Sequence, residues 1–461
     1  MFYQDTIAAI ATSSKDGSIS VIRVSGMKSC EIVSKIFYNR NMKSRDLSAC
    51  ESHTIQYGYI SQDGDTVIDE VLVLVMRGPK SYTAEDVIEI QCHGGYMICQ
   101  MILDLLMEKG VRIAEPGEFT KRAFINGRID LSQAESVMDL IQARSDIAVK
   151  NSISQLRGSV KEKIVELRKM LLEDIAFLEA ALDDPEHISL EGFPSQMREH
   201  ALFLKGELEH LLKNSQNGRL IKEGIRTAIV GKPNVGKSSF LNCILRSERA
   251  IVTDIPGTTR DTLEEEVRIG STLFQFIDTA GIRETEDTIE NIGIEKTKKA
   301  MEQADLVICI IDSASDLEEE DFSVLKQAEE CPGIILYNKI DLPSVTDISM
   351  IPSYENKKII SFSAVTREGL EELESYINEL FIEEKIHYND DIYITNARQK
   401  ESLTDALESI GQLWNSIEME MPEDLYSIDM MNAYESLGRI IGETVEDDIV
   451  DKIFKDFCMG K

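Results

Sequence analysis

The sequence predicts a multidomain α/β protein, in which an N-terminal α+β domain precedes an all-α domain that is split by an inserted α/β domain with a parallel sheet. Three observations predict this fold class. Short apolar strands alternate with turns at the start of the chain, helical periods fill two separate segments, and strand–helix repeats lie between those segments. The length of 461 residues suffices for several domains with separate cores. The predicted domains span residues 1–119, 120–217, 218–383 and 384–461.

The first 119 residues predict a small α+β domain. Runs rich in β-branched residues predict strands at 19–24, 54–59, 70–76 and 86–91. Helical periods are predicted at 29–37 and 97–109. The glycines of His93-Gly94-Gly95 indicate a turn, and the patterns by themselves indicate no chemistry for this domain.

The second and fourth segments are helical. Residues 131–141 and 164–175 carry apolar side chains at the spacing of one helix face, and Asp183-Asp184-Pro185 ends that run. A further helix is predicted at 194–214, and residues 214–218 (Asn-Ser-Gln-Asn-Gly) predict a junction into the next domain. After that domain, helices are predicted at 396–414, 425–441 and 447–457.

The inserted domain begins with a strand, a glycine-rich turn and a helix. Residues 225–230 are typical of a buried parallel strand, and residues 238–245 predict the first turns of a helix. Between them, residues 231–239 (Gly-Lys-Pro-Asn-Val-Gly-Lys-Ser-Ser) fit the phosphate-binding pattern G-x-x-x-x-G-K-[ST]. Such a turn directs backbone N–H groups at a polyphosphate. Lys237 would neutralise phosphate oxygens, and the Ser238 hydroxyl would bind Mg²⁺.

Further motifs follow in order, each at the end of a predicted strand. Residues 273–277 end on Asp278-Thr279-Ala280-Gly281, where a carboxylate can hold the Mg²⁺ shell and a glycine N–H can sense a γ-phosphate. The strand 307–311 follows, and then 334–337 leads into Asn338-Lys339-Ile340-Asp341. The strand 359–362 leads into Ser363-Ala364, a backbone contact for guanine O6.

The motif around Asp341 selects guanine. Its carboxylate can accept hydrogen bonds from N1 and the 2-amino group of guanine, and adenine lacks that pair of donors. A buried Asp341 facing adenine would therefore be left unpaired, which costs more than a lost contact. The ordered set of motifs predicts a guanine-nucleotide hydrolase domain.

The group that orients the attacking water is left open by the motifs. Many GTPases place a glutamine directly after the Asp-x-x-Gly motif, but here that residue is Ile282, which cannot orient water. A carboxylate on the following loop could act instead. The candidates are Glu284, Glu286, Asp287 and Glu290.

Two groups could stabilise the charge of the transition state. Arg260 and Arg283 flank the site as candidate arginine fingers. The alternative is a bound cation: the side-chain carbonyl of Asn234 and backbone carbonyls of residues 253–259 would form a ring of neutral oxygens suited to K⁺. Thr259 would complete the Mg²⁺ shell through its hydroxyl.

Composition and charge limit the remaining functions. Uncharged apolar runs are far shorter than the roughly 20 residues of a membrane span, and the N-terminus lacks the pattern of a signal peptide. The eight cysteines form no Cys-x-x-Cys pair, so we expect a reducing cytoplasm and no structural zinc. The net charge of −33 argues against extended contact with a phosphate backbone unless a partner supplies basic surface.

The chain resembles the MnmE (TrmE) family of tRNA-modification GTPases over essentially its whole length. In the inserted domain the resemblance lies in residues 231–239, 257–261, 278–284 and 291–295. In the N-terminal domain it lies in Arg23, 78–83, Glu85, Asp86, 93–95, 116–119, 122–124 and 130–135. The terminal Phe457-Cys-Met-Gly-Lys461, after an embedded GTPase domain, is highly specific for this family.

The resemblance implies K⁺-dependent GTP hydrolysis by nucleotide domains that pair across a homodimer. It places K⁺ among Asn234, Thr253, Ile255 and Thr258, and Mg²⁺ at Ser238 and Thr259. The implied catalytic residues are Glu290, Lys237, Thr259 and Cys458, and Arg260 and Arg283 become loop residues. The implied nucleotide contacts are Asn234, Val235, Gly236, Lys237, Ser238, Ser239, Thr253, Asp254, Ile255, Pro256, Gly257, Thr258, Thr259, Asp278, Thr279, Ala280, Gly281, Asn338, Lys339, Asp341, Ser363 and Ala364.

The resemblance also implies that the N-terminal domain mediates dimerisation and binds a tetrahydrofolate derivative, in the 5-formyl or methylene form. The matching residues are Arg23, Glu89, Arg128 and Lys461. Glu89 would face the donor edge of the pterin, and the cations would face the glutamyl tail. Arg128 stands where some relatives have Lys, and residues 13–16 depart from the Pro and Gly of many members. Cys458 would either take part in the modification chemistry or be a buried thiol at a helix end.

The implied partner is the flavoprotein MnmG (GidA), which carries FAD and would form a heterotetramer or larger complex. With tRNA as substrate, the complex would add an aminomethyl or carboxymethylaminomethyl group to C5 of the wobble uridine, position 34. A ribosome-assembly GTPase switch that binds rRNA is the alternative interpretation, and a signalling GTPase with an external activator is a third. Residues 401–451 contain one basic residue, Arg439, which disfavours a C-terminal RNA-docking module.

Overall fold

The computed structural model describes residues 5–12, 17–245, 265–269, 272–277, 300–329, 331–352, 354, 357–383, 392–443, 445, 447–455, 457 and 460. The chain divides into two compact units. The first unit contains residues 1–138, 155–201 and 408–461, and the second contains residues 139–154 and 202–407. The domain boundaries drawn from the sequence stay a prediction.

A seven-stranded sheet organises the first unit, in the order β3-β4-β5-β6-β2-β1-β7. Its strands pair antiparallel except β1 and β7, which run parallel. The strands are β1 Ile7–Ile10, β2 Ile19–Ser25, β3 Phe37–Tyr38, β4 Thr54–Ser61, β5 Val67–Met76, β6 Val87–His93 and β7 Arg112–Ile113. The four predicted strands are confirmed as β2, β4, β5 and β6. Sequence patterns missed β1, β3 and β7 because runs this short carry little periodicity.

The two faces of this sheet carry different groups. Helices α1 (Ser29–Ser34) and α2 (Tyr96–Glu108) bury their apolar side chains against one face, where Ile22, Val24, Ile88 and Ile90 contribute to the core. Side chains alternate along a strand, so the intervening Arg23 of β2 and Glu89 of β6 lie on the opposite face. The register pairs these two residues directly. The helix predicted at 29–37 is shorter in the structure, because Phe37 belongs to β3.

Besides α1 and α2, four longer helices of the described residues belong to the first unit alone: α3 Glu118–Ile125, α6 Ser159–Asp183, α12 Asp424–Ile441 and α13 Asp447–Lys455. Helix α6 ends at Asp183, as the Asp-Asp-Pro sequence predicts, and packs along α12. The α13 residue Phe454 and the following Phe457 pack against Ala123 of α3. This contact holds the C-terminal segment against the helix that follows the sheet.

The second unit contains a six-stranded sheet in the order β13-β12-β11-β8-β10-β9. All neighbouring strands are parallel except β9 and β10, which pair antiparallel. The strands are β8 Ile225–Val230, β9 Glu265–Ile269, β10 Thr272–Ile277, β11 Leu306–Asp312, β12 Gly333–Asn338 and β13 Lys357–Ser361. The five predicted strands are confirmed, and β9 was not predicted. Apolar clusters cover both faces, which explains why the parallel strands are almost continuously apolar.

Three helices of the second unit follow its strands: α8 Lys237–Leu245, α9 Glu319–Gln327 and α10 Leu370–Asn378. Four others contain residues of both units: α4 Leu131–Gln142, α5 Asp146–Leu156, α7 Phe193–Glu223 and α11 Ala397–Glu418. The short helices are Leu47–Ala49, Ile348–Met350 and Glu379–Glu383. None of the helices in the described part of the chain is long and apolar enough to cross a membrane.

The predicted junction at residues 214–218 is wrong as a break in secondary structure, because those residues lie inside α7. Gly218 explains the misleading signal. A Cβ atom added to Gly218 would lie 2.1 Å from the carbonyl oxygen of Ile394. The glycine therefore allows a close approach between α7 and a neighbouring backbone, and does not form a turn.

Candidate functional site

The phosphate-binding loop joins β8 to α8 at the carboxyl end of the parallel strands. Gly231 has φ +149°, and an added Cβ would lie 2.5 Å from the carbonyl oxygen of Ile310 in β11. Asn234 adopts the left-handed region with φ +64°, which asparagine tolerates better than most residues. Gly236 follows with φ +104°, and Lys237 begins α8. The loop thus has the strand–turn–helix setting that the motif requires.

The ammonium of Lys237 is held by the loop itself. Its Nζ donates hydrogen bonds to the carbonyl oxygens of Gly231 at 2.6 Å and Lys232 at 2.9 Å. No carboxylate among the described residues pairs with Lys237, and burial lowers the pKa of its ammonium. A partly desolvated cation without an acidic partner favours an anionic ligand, because the ligand would compensate the charge. The loop therefore fits a polyphosphate.

The base-reading motif contacts the phosphate loop directly. Asn338, at the end of β12 and 1% exposed, donates through Nδ2 to the carbonyl oxygen of Val235 at 2.9 Å. Lys339, with φ +66°, donates through Nζ to the carbonyl oxygen of Asn234 at 2.8 Å and to Asp312 Oδ2 at 2.6 Å. Two side chains from one motif thus fix two consecutive carbonyl groups of the other. The structure brings these predicted residues together.

The predicted guanine contacts also lie together. Ser363 donates through its hydroxyl to Asp341 Oδ1 at 2.6 Å, and the same hydroxyl accepts from the backbone N–H groups of Val365 and Thr366. One oxygen of Asp341 is therefore oriented by the loop after β13. A carboxylate fixed in this way can accept hydrogen bonds from adjacent ring donors of a guanine.

Part of the predicted nucleotide site falls outside the described residues. Of the loop and metal predictions, Asn234, Val235, Gly236, Lys237, Ser238 and Ser239 are described. The residues that lie outside are Thr253, Asp254, Ile255, Pro256, Gly257, Thr258, Thr259, Asp278, Thr279, Ala280, Gly281 and Glu290, together with the alternatives Arg260, Ile282, Arg283, Glu284, Glu286 and Asp287. The predicted Mg²⁺ ligand Ser238 lies in the first turn of α8. A serine hydroxyl beside a phosphate loop fits the hard oxygen ligands that Mg²⁺ takes.

Sequence reasoning missed two residues that support this site. Lys232 forms an ion pair with Asp321 of α9, with Nζ 2.9 Å from Oδ2. Burial would lower the pKa of Lys232, but its hydrogen bonds and charge interactions with Asp321 and Glu318 outweigh that effect and raise the pKa. Asp312 orients Lys339. Each lies in or beside a recognised motif, but its partner is distant in sequence.

A second group of predicted residues lies on the face of the first unit's sheet that is opposite α1 and α2. Arg23 donates a hydrogen bond through Nε to Glu89 Oε1 at 2.9 Å, and its Nη2 forms an ion pair with the same oxygen at 2.8 Å. The side chains of Arg23 and Glu89 are 16% and 18% exposed, so the pair is shielded but accessible at its edge. Arg23 Nη1 also donates to the carbonyl oxygen of Gly460 at 3.4 Å. The described part of the C-terminal segment therefore reaches this pair.

Tyr82 joins the third predicted residue, Arg128, to the pair. The guanidinium carbon of Arg23 lies 4.9 Å from the centroid of the Tyr82 ring, and that of Arg128 lies 5.0 Å from it. Arg128 Nη1 also donates to the carbonyl oxygen of Tyr82 at 2.7 Å, and the Tyr82 hydroxyl is 2.8 Å from Thr120 Oγ1. One aromatic ring thus contacts two cations. Sequence reasoning missed this role, although Tyr82 lies in a quoted motif.

A buried ionic cluster stabilises the segment that contains Tyr82 and Glu85. Arg122 of α3 is 0% exposed and contacts the carboxylates of Asp5, Glu85 and Glu118. Burial would raise the pKa of Glu118, but hydrogen bonds from Arg112, from the Glu115 backbone and from Arg122 outweigh it and lower that pKa. The cluster fixes the segment that carries Tyr82. The remaining predictions for this site, Lys461 and Cys458, lie outside the described residues.

These groups suit a ligand with two kinds of surface. Glu89 is an acceptor for a donor edge, and Arg128 is an exposed cation that lacks a carboxylate among its described contacts. The Tyr82 ring offers an apolar surface between them. A heterocycle with ring N–H donors and a carboxylate tail combines both requirements.

Comparison with known proteins covers the whole chain. The family model of the MnmE helical domain matches residues 131–458, and that of the N-terminus of the GTP-binding protein TrmE matches residues 6–128. A tRNA modification GTPase MnmE of Lachnoclostridium phytofermentans is 52% identical over 457 residues, covering 99% of both chains. The protein of the same name from Clostridioides difficile is 45% identical over 466 residues, covering 100% of both.

Among solved structures, the G domain of the T. maritima FeoB iron transporter is 27% identical, with a TM-score of 0.26, and covers 33% of this chain and 96% of that one. The family matches confirm the predicted multidomain α/β fold class, with an N-terminal domain, a helical domain and a P-loop sheet. The resemblance noted in the sequence is confirmed over the full length: the chain belongs to the MnmE family of tRNA modification GTPases.

Proposed function

We propose that the chain is a K⁺-activated GTP hydrolase that acts in tRNA modification. With a flavoprotein partner it would add an aminomethyl or carboxymethylaminomethyl group to C5 of the wobble uridine, position 34, of certain tRNAs. Family membership supports GTP hydrolysis in tRNA modification. The observation that carries GTP binding is the contact between the two motifs, in which Asn338 and Lys339 hold the carbonyl groups of Val235 and Asn234.

That contact favours nucleotide binding over a chance glycine-rich turn. The phosphate loop and the base-reading strand end are fixed relative to each other by two hydrogen bonds, so a ligand can be recognised at both ends at once. Lys237 supplies positive charge at the phosphate end, and Asp341 supplies an acceptor at the base end. GTP has the complementary groups, with Mg²⁺ bound by Ser238 and the phosphates.

For hydrolysis we propose Glu290 as the residue that orients the attacking water, with Lys237 and Thr259 in support. K⁺ would be held by Asn234, Thr253, Ile255 and Thr258. When bound, Mg²⁺ and K⁺ would offset the negative charge that develops on the phosphates. Asn234 supports this assignment because Lys339 anchors its left-handed backbone through the carbonyl oxygen, and its side-chain amide has no hydrogen-bond partner among the described residues.

For the tRNA chemistry we propose that Arg23, Glu89, Arg128 and Lys461 bind a tetrahydrofolate derivative. The contacts of Tyr82 with Arg23 and Arg128 support a site that combines a pterin edge and a glutamyl tail. We further propose a cytoplasmic homodimer, formed through the domain of residues 1–119, that associates with an FAD-binding partner of the MnmG (GidA) type. Cys458 remains a candidate for the modification chemistry.

GTP turnover in K⁺ and in Na⁺, at matched ionic strength with Mg²⁺ present, tests the hydrolytic part. We expect turnover to be much faster in K⁺ and to rise with protein concentration, because the nucleotide domains would pair. Asn234→Ala and Asn234→Gly should both abolish the preference for K⁺. Glycine tolerates φ +64°, so loss in Asn234→Ala alone would point to backbone strain and contradict the cation assignment.

Equal wild-type rates in K⁺ and Na⁺ would refute K⁺ activation and return Arg260 and Arg283 as candidate arginine fingers. Glu290→Gln should retain GTP binding and lose turnover, and retained turnover would refute its role. The tRNA part is tested by mass spectrometry of nucleosides from tRNA incubated with the chain, the flavoprotein, GTP, methylene-tetrahydrofolate and an amine source. An unmodified wobble uridine in the complete mixture would refute that part.

A further inference from the structure

An ion pair anchors the start of the phosphate loop, through a residue that is not among the predicted nucleotide contacts. Lys232 is the second residue of the loop, and its Nζ lies 2.9 Å from Asp321 Oδ2 and 3.3 Å from Glu318 Oε2. It also donates to the carbonyl oxygen of Asp316 at 3.4 Å. The side chains of Lys232 and Asp321 are 11% and 2% exposed, so water screens the pair only weakly.

The carboxylate that receives Lys232 is itself fixed. Asp321 lies in the first turn of α9, and its Oδ2 also accepts a hydrogen bond from the backbone N–H of Glu318 at 3.0 Å. An acidic residue in this position is stabilised by the helix N-terminus. The ion pair therefore connects the loop after β8 to the segment that follows β11, and both lie at the carboxyl edge of the same sheet.

The backbone of Lys232 contacts the phosphate-binding lysine. The carbonyl oxygens of Gly231 and Lys232 accept the two hydrogen bonds from Lys237 Nζ, at 2.6 Å and 2.9 Å. The residue whose side chain is anchored to α9 thus supplies one of the two oxygens that orient the Lys237 ammonium. A shift of Gly231 and Lys232 would move both carbonyl oxygens relative to α8, whose first residue is Lys237.

We propose that Lys232 is a positioning residue for the polyphosphate: its ion pair with Asp321 holds the Gly231–Lys232 carbonyl groups where they direct Lys237 at the β- and γ-phosphates. The inference rests on the guanine-nucleotide binding proposed above. It specifies where a change at Lys232 acts. Nucleotides with two or three phosphates should be affected, and the contacts of the base with Asp341 and Asn338 should not.

Lys232→Met removes the ammonium and keeps a side chain of similar length. We expect GDP and GTP to bind about 10- to 100-fold more weakly, by analogy with the loss of a partner that orients a metal ligand. The affinity for GMP should stay within about twofold, because the lysine of this motif reaches the β- and γ-phosphates. Titration calorimetry with GDP, and competition by GMP, measure the two effects.

Three further variants separate positioning from folding. Lys232→Met removes the cationic partner of the buried Asp321 carboxylate, and the loss of that ion pair destabilises the fold. The double variant Lys232→Met/Asp321→Asn also removes the negative charge, while the Asn side chain can still accept a hydrogen bond from the Glu318 backbone N–H. We expect this double variant to recover thermal stability but not GDP affinity. Lys232→Arg keeps the charge and should restore most GDP affinity. Lys326→Met removes an exposed positive charge from the same helix and should bind GDP like wild type.

The results distinguish the two proposals. Wild type that binds neither GDP nor GTP would overturn the proposed function, and this inference with it. Wild type that binds GDP, together with a Lys232→Met variant of unchanged GDP affinity and lowered melting temperature, would overturn the inference alone. An equal loss of GDP and GMP affinity would also overturn it, because the effect would then not act through Lys237.

Discussion

Gly236→Ala tests whether the contact between the two nucleotide motifs controls binding. Gly236 has φ +104°, and an added Cβ would lie 2.4 Å from Asn338 Nδ2. Ordinary contacts of carbon atoms are about 3.5 Å, so one of the two groups would have to move by about 1 Å. Asn338 is 1% exposed and Nδ2 donates to the Val235 carbonyl at 2.9 Å, so such a movement would break that hydrogen bond.

The expected cost has two parts. A Cβ in the left-handed region costs about 1–2 kcal/mol. Loss of the partner of the Val235 carbonyl, within a residue that is 0% exposed, adds about 1–3 kcal/mol. Gly110→Ala is the matched control, because Gly110 has a similar φ of +96° but nothing within 4 Å of an added Cβ. The second part of the cost should therefore appear only in Gly236→Ala.

We expect the cost of losing the hydrogen bond between Asn338 and the Val235 carbonyl to weaken nucleotide binding, because the phosphate loop must regain its geometry when GDP binds. A cost of about 1–3 kcal/mol corresponds to roughly 5- to 150-fold in the dissociation constant. Titration calorimetry with GDP measures it, and circular dichroism verifies that both variants are folded. A Gly236→Ala variant that binds GDP within about twofold of wild type would refute the reasoning, as would an equal loss in Gly110→Ala.

Three other changes have defined outcomes. Tyr82→Leu should weaken the binding of a folate with its glutamyl tail about tenfold, because the two cation–π contacts of the ring are worth about 0.5–1 kcal/mol each. Tyr82→Phe keeps the ring and should bind this folate like wild type. Calorimetry measures both affinities, and equal values for the two variants would contradict the role of the ring. Asp341→Asn should lower GTP turnover and raise XTP turnover, because an amide donor complements the xanthine carbonyl; unchanged GTP preference would contradict the assignment. Glu118 has a lowered pKa when folded, so its stabilisation is present above the unfolded pKa of about 4.3 and is lost as pH falls through the folded value. Glu118→Gln should therefore reduce the fall in melting temperature between about pH 5 and 3, and an unchanged slope would contradict it.

The organisation of the nucleotide domain was predictable because its signals are local. A buried strand, a phosphate-binding turn and a helix N-terminus follow one another within residues 225–245, and each parallel strand is a continuous apolar run. Strand ends of a parallel sheet share one edge, so motifs at successive strand ends lie close together there. The structure brings together Lys237, Asn338, Lys339, Asp341 and Ser363 as that argument requires.

Other features depended on contacts that local patterns do not encode. Gly218 signalled a turn but allows a close approach of Ile394 to a continuous helix. β1 and β7 are too short for periodicity, and the tertiary pairing of Ile7 with Arg112 defines them. The acidic partner of Lys232 lies in a helix that is distant in sequence. In each case, contacts with residues distant in sequence determine the local structure, and intrinsic secondary-structure propensity does not.

By itself the sequence determined the fold class, the guanine-nucleotide motifs and the family, because these depend on residue types at fixed spacing. It also named Arg23, Glu89 and Arg128 through resemblance, without a physical reason for their proximity. Only the tertiary structure decided that Tyr82 contacts Arg23 and Arg128, and that Asn338 holds the phosphate loop. Side chains far apart in the chain meet only when strand register and helix packing bring them together, and hydrogen bonds and cation–π contacts then stabilise that arrangement.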